Sequence, residues 1–317
     1  MKKIILATTA LVSVGFAGSA LAQESMVMGP MGAEAHLGGY YEYRYTDYSD
    51  GLSSSSADAE IFLSFSTVSD SGLEIGVDYQ LEANTGSTTN VDEASLYVAG
   101  EFGRVVFGEN DHASDSFQTW APTHAGSIGQ DDGTNDDFFN DGQEMGGWAG
   151  NAQYSDDAKI AYFSPSFSGF AFGVSWQEAS AADDDGAVTG GITYSTEIAD
   201  SFDLTLNAAS FNNGKDGSDE DSSTSLGAGL GIGDFAVTLA TVDYNAASSR
   251  TGLGLGYTIS DDLSVGAYFA EQGDKEWNSF SAQYVIASGL TATLARNGVE
   301  DNGTDADELV FEIGVSF

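Results

Sequence analysis

Apolar and polar residues alternate with a period of two along most of this chain. Leu73, Ile75, Val77, Tyr79 and Leu81 are separated by Glu74, Gly76, Asp78 and Gln80. Ile61, Leu63 and Phe65 stand against Glu60, Ser64 and Ser66, and Leu37, Tyr41, Tyr43 and Tyr45 against His36, Glu42 and Arg44. The rhythm returns from Leu204, Leu226, Phe235, Leu253 and Leu263, and ends on Leu309, Phe311, Ile313, Val315 and Phe317. Successive strand side chains point to opposite faces, so each segment reads as a strand with one greasy face and one wet or small face.

Connections alternate in length. Short ones fall at Ser69–Gly72, Gly100–Gly103, Ser164–Gly169, Ile198–Ser201, Gly231–Asp234, Ser260–Asp262 and Ala287–Gly289. Long, acidic, Gly/Ser/Asn-rich ones lie at 47–57, 83–91, 110–157, 179–187, 212–222, 244–249, 272–277 and 298–306. Seven short and eight long connections join sixteen strands. An even number of antiparallel strands, with short turns at one end and long loops at the other, is the plan of a transmembrane β-barrel. Strands of about 9–11 residues cross at the usual tilt. A soluble sandwich also alternates but needs no such asymmetry, and a β-helix needs a fixed repeat that is absent here. The expectation is therefore an all-β, 16-stranded antiparallel transmembrane barrel.

The first residues are an address. Lys2 and Lys3 precede an uncharged apolar run from Ile4 to Ala17, followed by Ala20-Leu21-Ala22. That is a secretory signal peptide over 1–22, removed on export, and it leaves 23–317 as one domain without a dividing Gly/Pro linker.

Composition changes the picture in three ways. Lys plus Arg number 9 against 49 Asp plus Glu, a net charge of −40. Removing 1–22 takes away two Lys and no acid, giving 7 − 49 = −42. Phosphate binding needs clustered bases, so nucleic acid is excluded as a partner. Hydrophobic residues make up 41% and aromatic ones 12%, too rich for a disordered acidic tail. Cysteine is absent, which excludes disulfides and thiolate chemistry. A mean hydropathy of −0.14 leaves a barrel open, because its membrane face sits in alternate residues.

Chemical motifs have plainer explanations. Gly227-Ala228-Gly229-Leu230-Gly231 and Gly252-Leu253-Gly254-Leu255-Gly256 lie inside alternating strands, where small residues face the lumen or a neighbour rather than a phosphate. The three histidines, His36, His112 and His124, have no metal-ligand spacing, and no G-x-S-x-G occurs. A hydrolase pair of His112 with Asp111 or Asp115 is conceivable; a solvated loop histidine is the reading preferred. The acidic runs at Asp183–Asp185, Asp219–Asp221 and Glu300-Asp301 lack the EF-hand spacing, although clustered carboxylates suit Ca²⁺ or Mg²⁺. A structural Ca²⁺ in the outer loops is the only cofactor expectation, and diffusion requires none.

The connection at 110–157 is far longer than the others. From Glu109 to Glu144 run nine carboxylates, Glu109, Asp111, Asp115, Asp131, Asp132, Asp136, Asp137, Asp141 and Glu144, and no Lys or Arg occurs between Arg104 and Lys159. Trp120, Phe138, Phe139 and Trp148 give it apolar area to pack with. A sixteen-strand barrel encloses water. Folded into that lumen, the segment forms a negative narrowing that concentrates cations and repels anions, the alternative being an outward surface loop.

Several stretches resemble the general porins of alphaproteobacteria, Rhodobacter type. They are Ser69-Asp70-Ser71-Gly72-Leu73-Glu74-Ile75-Gly76, Ala99-Gly100-Glu101-Phe102-Gly103-Arg104-Val105 and Phe107-Gly108. Tyr162-Phe163-Ser164-Pro165-Ser166-Phe167-Ser168-Gly169-Phe170 resembles a turn common in Gram-negative porins, and the terminal Phe317 is similar to the assembly signal of outer-membrane barrels. The resemblance implies an outer-membrane homotrimer among lipid and lipopolysaccharide. Each barrel would be a passive pore for small hydrophilic solutes and ions, with the third long loop as eyelet and no enzymatic activity. In that family basic residues face the eyelet acids. Here wall positions read Asp58, Glu60 and Gln80, with Asp78 also acidic, leaving Arg44, Arg250 and Arg296 as basic wall candidates. A mostly acidic, cation-selective eyelet follows. A solute-specific channel, or a barrel adhesin without conductance, is the alternative.

Overall fold

The computed structural model describes residues 26–28, 33–83, 91–119, 158–178, 186–199, 201–212, 222–244 and 248–317. Its strands are β1 (Met26–Met28), β2 (Ala33–Tyr48), β3 (Ser53–Val68), β4 (Glu74–Glu82), β5 (Glu93–Gly100) and β6 (Gly103–Glu109). After a 3-10 turn at Asp115–Phe117 come β7 (Ala158–Phe163), β8 (Phe170–Gln177), β9 (Ala187–Ala199), β10 (Phe202–Asn212), β11 (Ser223–Ile232) and β12 (Phe235–Tyr244). The chain closes with β13 (Arg250–Ser260), β14 (Leu263–Gln272), β15 (Lys275–Ala287), β16 (Leu290–Asp301) and β17 (Thr304–Ser316).

From β2 to β17 every strand pairs antiparallel with the next, and β17 returns to β2 in the register Glu308↔Tyr48 to Ser316↔Tyr40. Sixteen strands thus form a closed ring. Phe317 and Gly39 finish the seam by exchanging backbone hydrogen bonds of 3.0 and 3.1 Å. Below that point β17 ends while β2 continues, and β1 folds back to pair Met26↔Ala35 through Met28↔Ala33. Met26–Met28, whose sequence suggests no role, therefore supply a strand that extends the pairing of β2. Closure matters because hydrocarbon offers no partner to an unpaired backbone N–H or C=O.

The two faces are inverted relative to a soluble protein. Leu37, Tyr41, Tyr43, Phe107, Ile160, Trp176, Leu226, Leu239, Phe280, Leu294 and Phe311 all stand exposed on the outer surface. Arg44, Thr46, Glu60, Ser175, Gln177, Thr189, Ser279, Thr293, Asn297 and Glu312 are buried on the inner one. An apolar belt on this scale has lipid, not water, as its natural solvent. Aromatic pairs such as Phe235 on Tyr257, with ring centroids 4.4 Å apart, and Phe269 on Phe280, 5.5 Å apart, pave it across neighbouring strands.

All seven short turns lie where the alternation breaks. The other end differs from expectation at three connections. Those expected at 47–57, 272–277 and 298–306 shrink to the residues between Tyr48 and Ser53, between Gln272 and Lys275, and between Asp301 and Thr304. Asn302 (φ 52°) and Gly303 (φ 80°) make a two-residue hairpin that requires positive φ at both positions, the strongest short-range hairpin signal a sequence carries. The ladders continue beyond the apolar belt, where both faces are wet and hydrophobic alternation disappears while backbone pairing persists.

Candidate functional site

The lumen is lined unevenly. On β2–β5 and β17 the inward positions include the acids Glu42, Asp58, Glu60, Asp78, Glu82, Glu93 and Glu312. On β8–β16 they include hydroxyls, amides and small residues such as Ser175, Thr189, Asn207, Ser225, Gly227, Ser279 and Thr293, together with Arg250, Tyr268 and Trp277, and with Glu197 and Asp203 near one short turn. In strand order around the ring, β2–β5 stand opposite β10–β13.

The start of the long connection crosses this polar wall. The Asp111 N–H donates to Glu93 Oε1 at 2.8 Å. The Ala113 N–H reaches Ser175 Oγ on β8 at 3.0 Å, and the Ser114 N–H reaches Thr189 Oγ1 on β9 at 3.2 Å. Those two hydroxyls hydrogen-bond each other at 2.7 Å. Asn207 on β10 donates its amide to the Gln118 carbonyl and to Thr119 Oγ1, both at 3.0 Å. Residues 111–119 therefore step across the inner surface from β5 to β10. Phe117 is the apolar anchor, buried in a lumenal cluster with Tyr97, Val106, Ala113, Ala161, Phe163 and Ala209. Gly191 and Gly227 make room for it: a Cβ at the first would strike Phe117 and at the second Thr119. The glycine of the Gly227 motif is thus explained by a close approach inside the lumen.

The nine carboxylates expected at the narrowing are placed differently from one another. Asp111 is exposed, and Asp115 is half-buried and accepts from Gln118 at 2.9 Å. Asp131, Asp132, Asp136, Asp137, Asp141 and Glu144 lie outside the described residues, as does the leader 1–22. Glu109 is a correction. It pairs with Ala94 and Ala158 and shares the outward phase of Phe107, so it stands on the exterior of the barrel.

Among the wall candidates, Arg44 is buried between two acids, its Nε donating to Glu312 at 2.6 Å and its Nη2 to Glu42 at 2.7 Å. Asp78 accepts from Arg104 at 2.6 Å and from Ser64 at 2.6 Å, while the Arg104 guanidinium lies 3.7 Å from the Tyr97 ring centroid. Arg250 is buried over Trp277, 5.1 Å from its ring, and donates to Gln272 at 2.8 and 3.1 Å. Arg296 is the second correction. It continues the outward phase of Leu294, pairs across to Phe280 and Leu309, and is held by Asp307 at 2.5 Å on the outer surface. Its place just beyond the apolar belt lets it reach water without entering the pore. Lys159 was not anticipated: it is buried in the lumen and donates to the Asn110 carbonyl at the head of the root.

Each of the six described Lys and Arg side chains is thus engaged by a neighbouring acceptor. Glu60 is buried on β3 and faces Glu82 in register, and with Asp92 they bring three ligand oxygens within 4.8 Å of one another. Among the described residues this group has the donor set of a hard-cation site.

His112 does not carry hydrolytic chemistry. It is buried edge-on against Phe211 at 5.0 Å, and neither ring nitrogen has a hydrogen-bond partner among the described residues. Burial, with a contribution from the Lys159 charge, holds its pKa down to about 3, so the ring is neutral at ordinary pH. A general base needs an orienting acid within hydrogen-bond reach, and neither Asp111 nor Asp115 bonds to the ring.

Comparison with solved structures agrees with this architecture. A loop-deleted form of OmpT, an outer membrane protein of Vibrio cholerae, superposes with a TM-score of 0.66 at 11% identity, covering 90% of this chain and 99% of that one. A variant of the Rhodopseudomonas blastica porin gives 0.66 at 17% identity, covering 89% and 100%. No curated protein sequence matches. The family model described as Gram-negative porin matches residues 7–295. Closed ring, lipid-facing belt, polar lumen and a segment pinned inside it are features of an outer-membrane channel, and with that match the chain belongs to the Gram-negative porin family.

Proposed function

We propose that this porin is a cation-selective general diffusion pore for small hydrophilic solutes and ions. The observation that supports this most is the pinning of 111–119 across the inner wall, from Glu93 at the edge of the acidic arc on β5 to Asn207 on β10. On this proposal the remaining acids of the connection, Asp131, Asp132, Asp136, Asp137, Asp141 and Glu144, face the aqueous lumen. A solute then passes between two carboxylate-bearing surfaces. The low-dielectric barrel wall focuses their field, raising the local concentration of cations and lowering that of anions. Passage is by diffusion: width excludes large solutes and charge sorts small ones, with no bond made or broken.

The resemblance to Rhodobacter-type porins supports a homotrimer among lipid and lipopolysaccharide as the working form. The group Glu60, Glu82 and Asp92 is the described candidate for structural Ca²⁺. The test is the joint substitution Asp131→Asn, Asp132→Asn, Asp136→Asn and Asp137→Asn in planar bilayers under a KCl gradient. A reversal potential moved toward zero is expected, and an unchanged one would refute the assignment of the constriction.

A further inference from the structure

His112 is buried to 2% exposure in the connection after β6, and the pore function gives it no task. Buried polar groups are nearly always paired, so an imidazole with both nitrogens unbonded among the described residues asks for an explanation. Its surroundings are selective about its charge. The elements against the root contribute Lys159 from β7, Ser175 and Gln177 from β8, Thr189 from β9, and Phe211 and Asn207 from β10. Its own segment adds Asp111, exposed, and Asp115, turned to Gln118. Among the described residues Lys159 is the charged group acting on the ring, with no carboxylate offsetting it. A neutral ring packs on Phe211. A protonated one would place a positive charge in a buried site beside the Lys159 ammonium.

We propose that His112 makes the root of the inward segment an acid-released latch: proton uptake frees residues 110–119 from the lumenal wall and changes the conductance of the pore. The docked ring resists protonation down to about pH 3, whereas a released, solvated histidine takes up its proton near 6.5. Docking is therefore fully supported above that ordinary value. Between the two values each fall of one pH unit moves the docked-to-released ratio roughly tenfold toward release, on the order of a thousandfold across the window.

The inference rests on the same inward segment as the proposed eyelet, and its test separates the two. Single-channel conductance of the full chain is recorded from pH 7.5 to 3 for wild type, His112→Phe, and the pair Ala113→Cys with Ser175→Cys, oxidised and reduced. The native chain has no cysteine, so that disulfide is the only one, and it ties the root to the wall where the Ala113 N–H meets Ser175 at 3.0 Å. Carboxylate titration is common to all forms and sets the baseline. Wild type and the reduced pair should show an additional conductance step in the acid range, lost in His112→Phe and in the oxidised pair. A step that persists in His112→Phe or in the oxidised tether overturns the latch. If His112→Phe does not fold, the tether decides alone. Failure of the eyelet reading shows instead at neutral pH, as a reversal potential indifferent to the loop acids.

Discussion

Replacing Gly227 by alanine tests the seat of the inward segment with a single methyl group. The added Cβ falls on the side chain of Thr119, where Asn207 holds Thr119 Oγ1 and the Gln118 carbonyl at 3.0 Å each. Two such hydrogen bonds contribute about 1 kcal/mol apiece, and forcing a methyl into a filled space costs roughly 1–3 kcal/mol. Strain and clasp are therefore of similar size, and the substitution should shift the seated fraction of this end of the root by roughly 5- to 100-fold. The bonds at Ala113 and Ser114, and Phe117 in its cluster, remain, so the barrel should still assemble. Gly229, one rung away on the same strand and the same face, is the control: there a Cβ meets nothing nearer than Thr238 at 3.7 Å. Single-channel recording should show altered conductance and greater open-channel noise for Gly227→Ala and wild-type behaviour for Gly229→Ala. Identical traces from both would refute the seating of Thr119 on β11.

Arg44→Met should increase cation preference, because it leaves Glu42 and Glu312 facing the lumen without their shared guanidinium, and it should lower the unfolding temperature. Arg296→Met should leave the reversal potential unchanged, since that side chain and Asp307 stand outside the pore; a shift equal to that of Arg44→Met would contradict the assignment of faces. Deleting Phe317 removes both hydrogen bonds that close the seam at Gly39, and the yield of folded, heat-modifiable barrel on semi-native gels should fall.

Which parts of this structure could be read in advance follows from where water is. Within the apolar belt one face must be greasy, so Leu73 to Leu81 or Leu263 to Phe269 announce strand, phase and turn together. Beyond the belt both faces are wet, and the extensions through Glu271, Glu276, Glu300 and Asp305 look like loops although they continue the ladder. Glu109 and Arg296 fall at that boundary. Counting two residues on from Phe107 and Leu294 would have set them outside, but charge alone suggested the lumen. Gly227 was legible as a lumenal small residue because Leu226 and Ala228 flank it; that Thr119 is what it accommodates depends on a contact between residues 108 positions apart. The root itself, with Phe117, Asn207 and Lys159, carries no local pattern, since its hydrogen-bond partners come from five different strands.

The central claim is an aqueous channel whose fixed charge is negative where ions pass. Reconstituting the purified protein in a planar bilayer between KCl solutions of different concentration measures it directly. The zero-current potential should take the sign set by K⁺ flowing down its gradient, and should collapse toward zero at about 1 M salt, where the screening length falls to roughly 3 Å. A potential of the opposite sign, or a membrane that never conducts, would contradict the account.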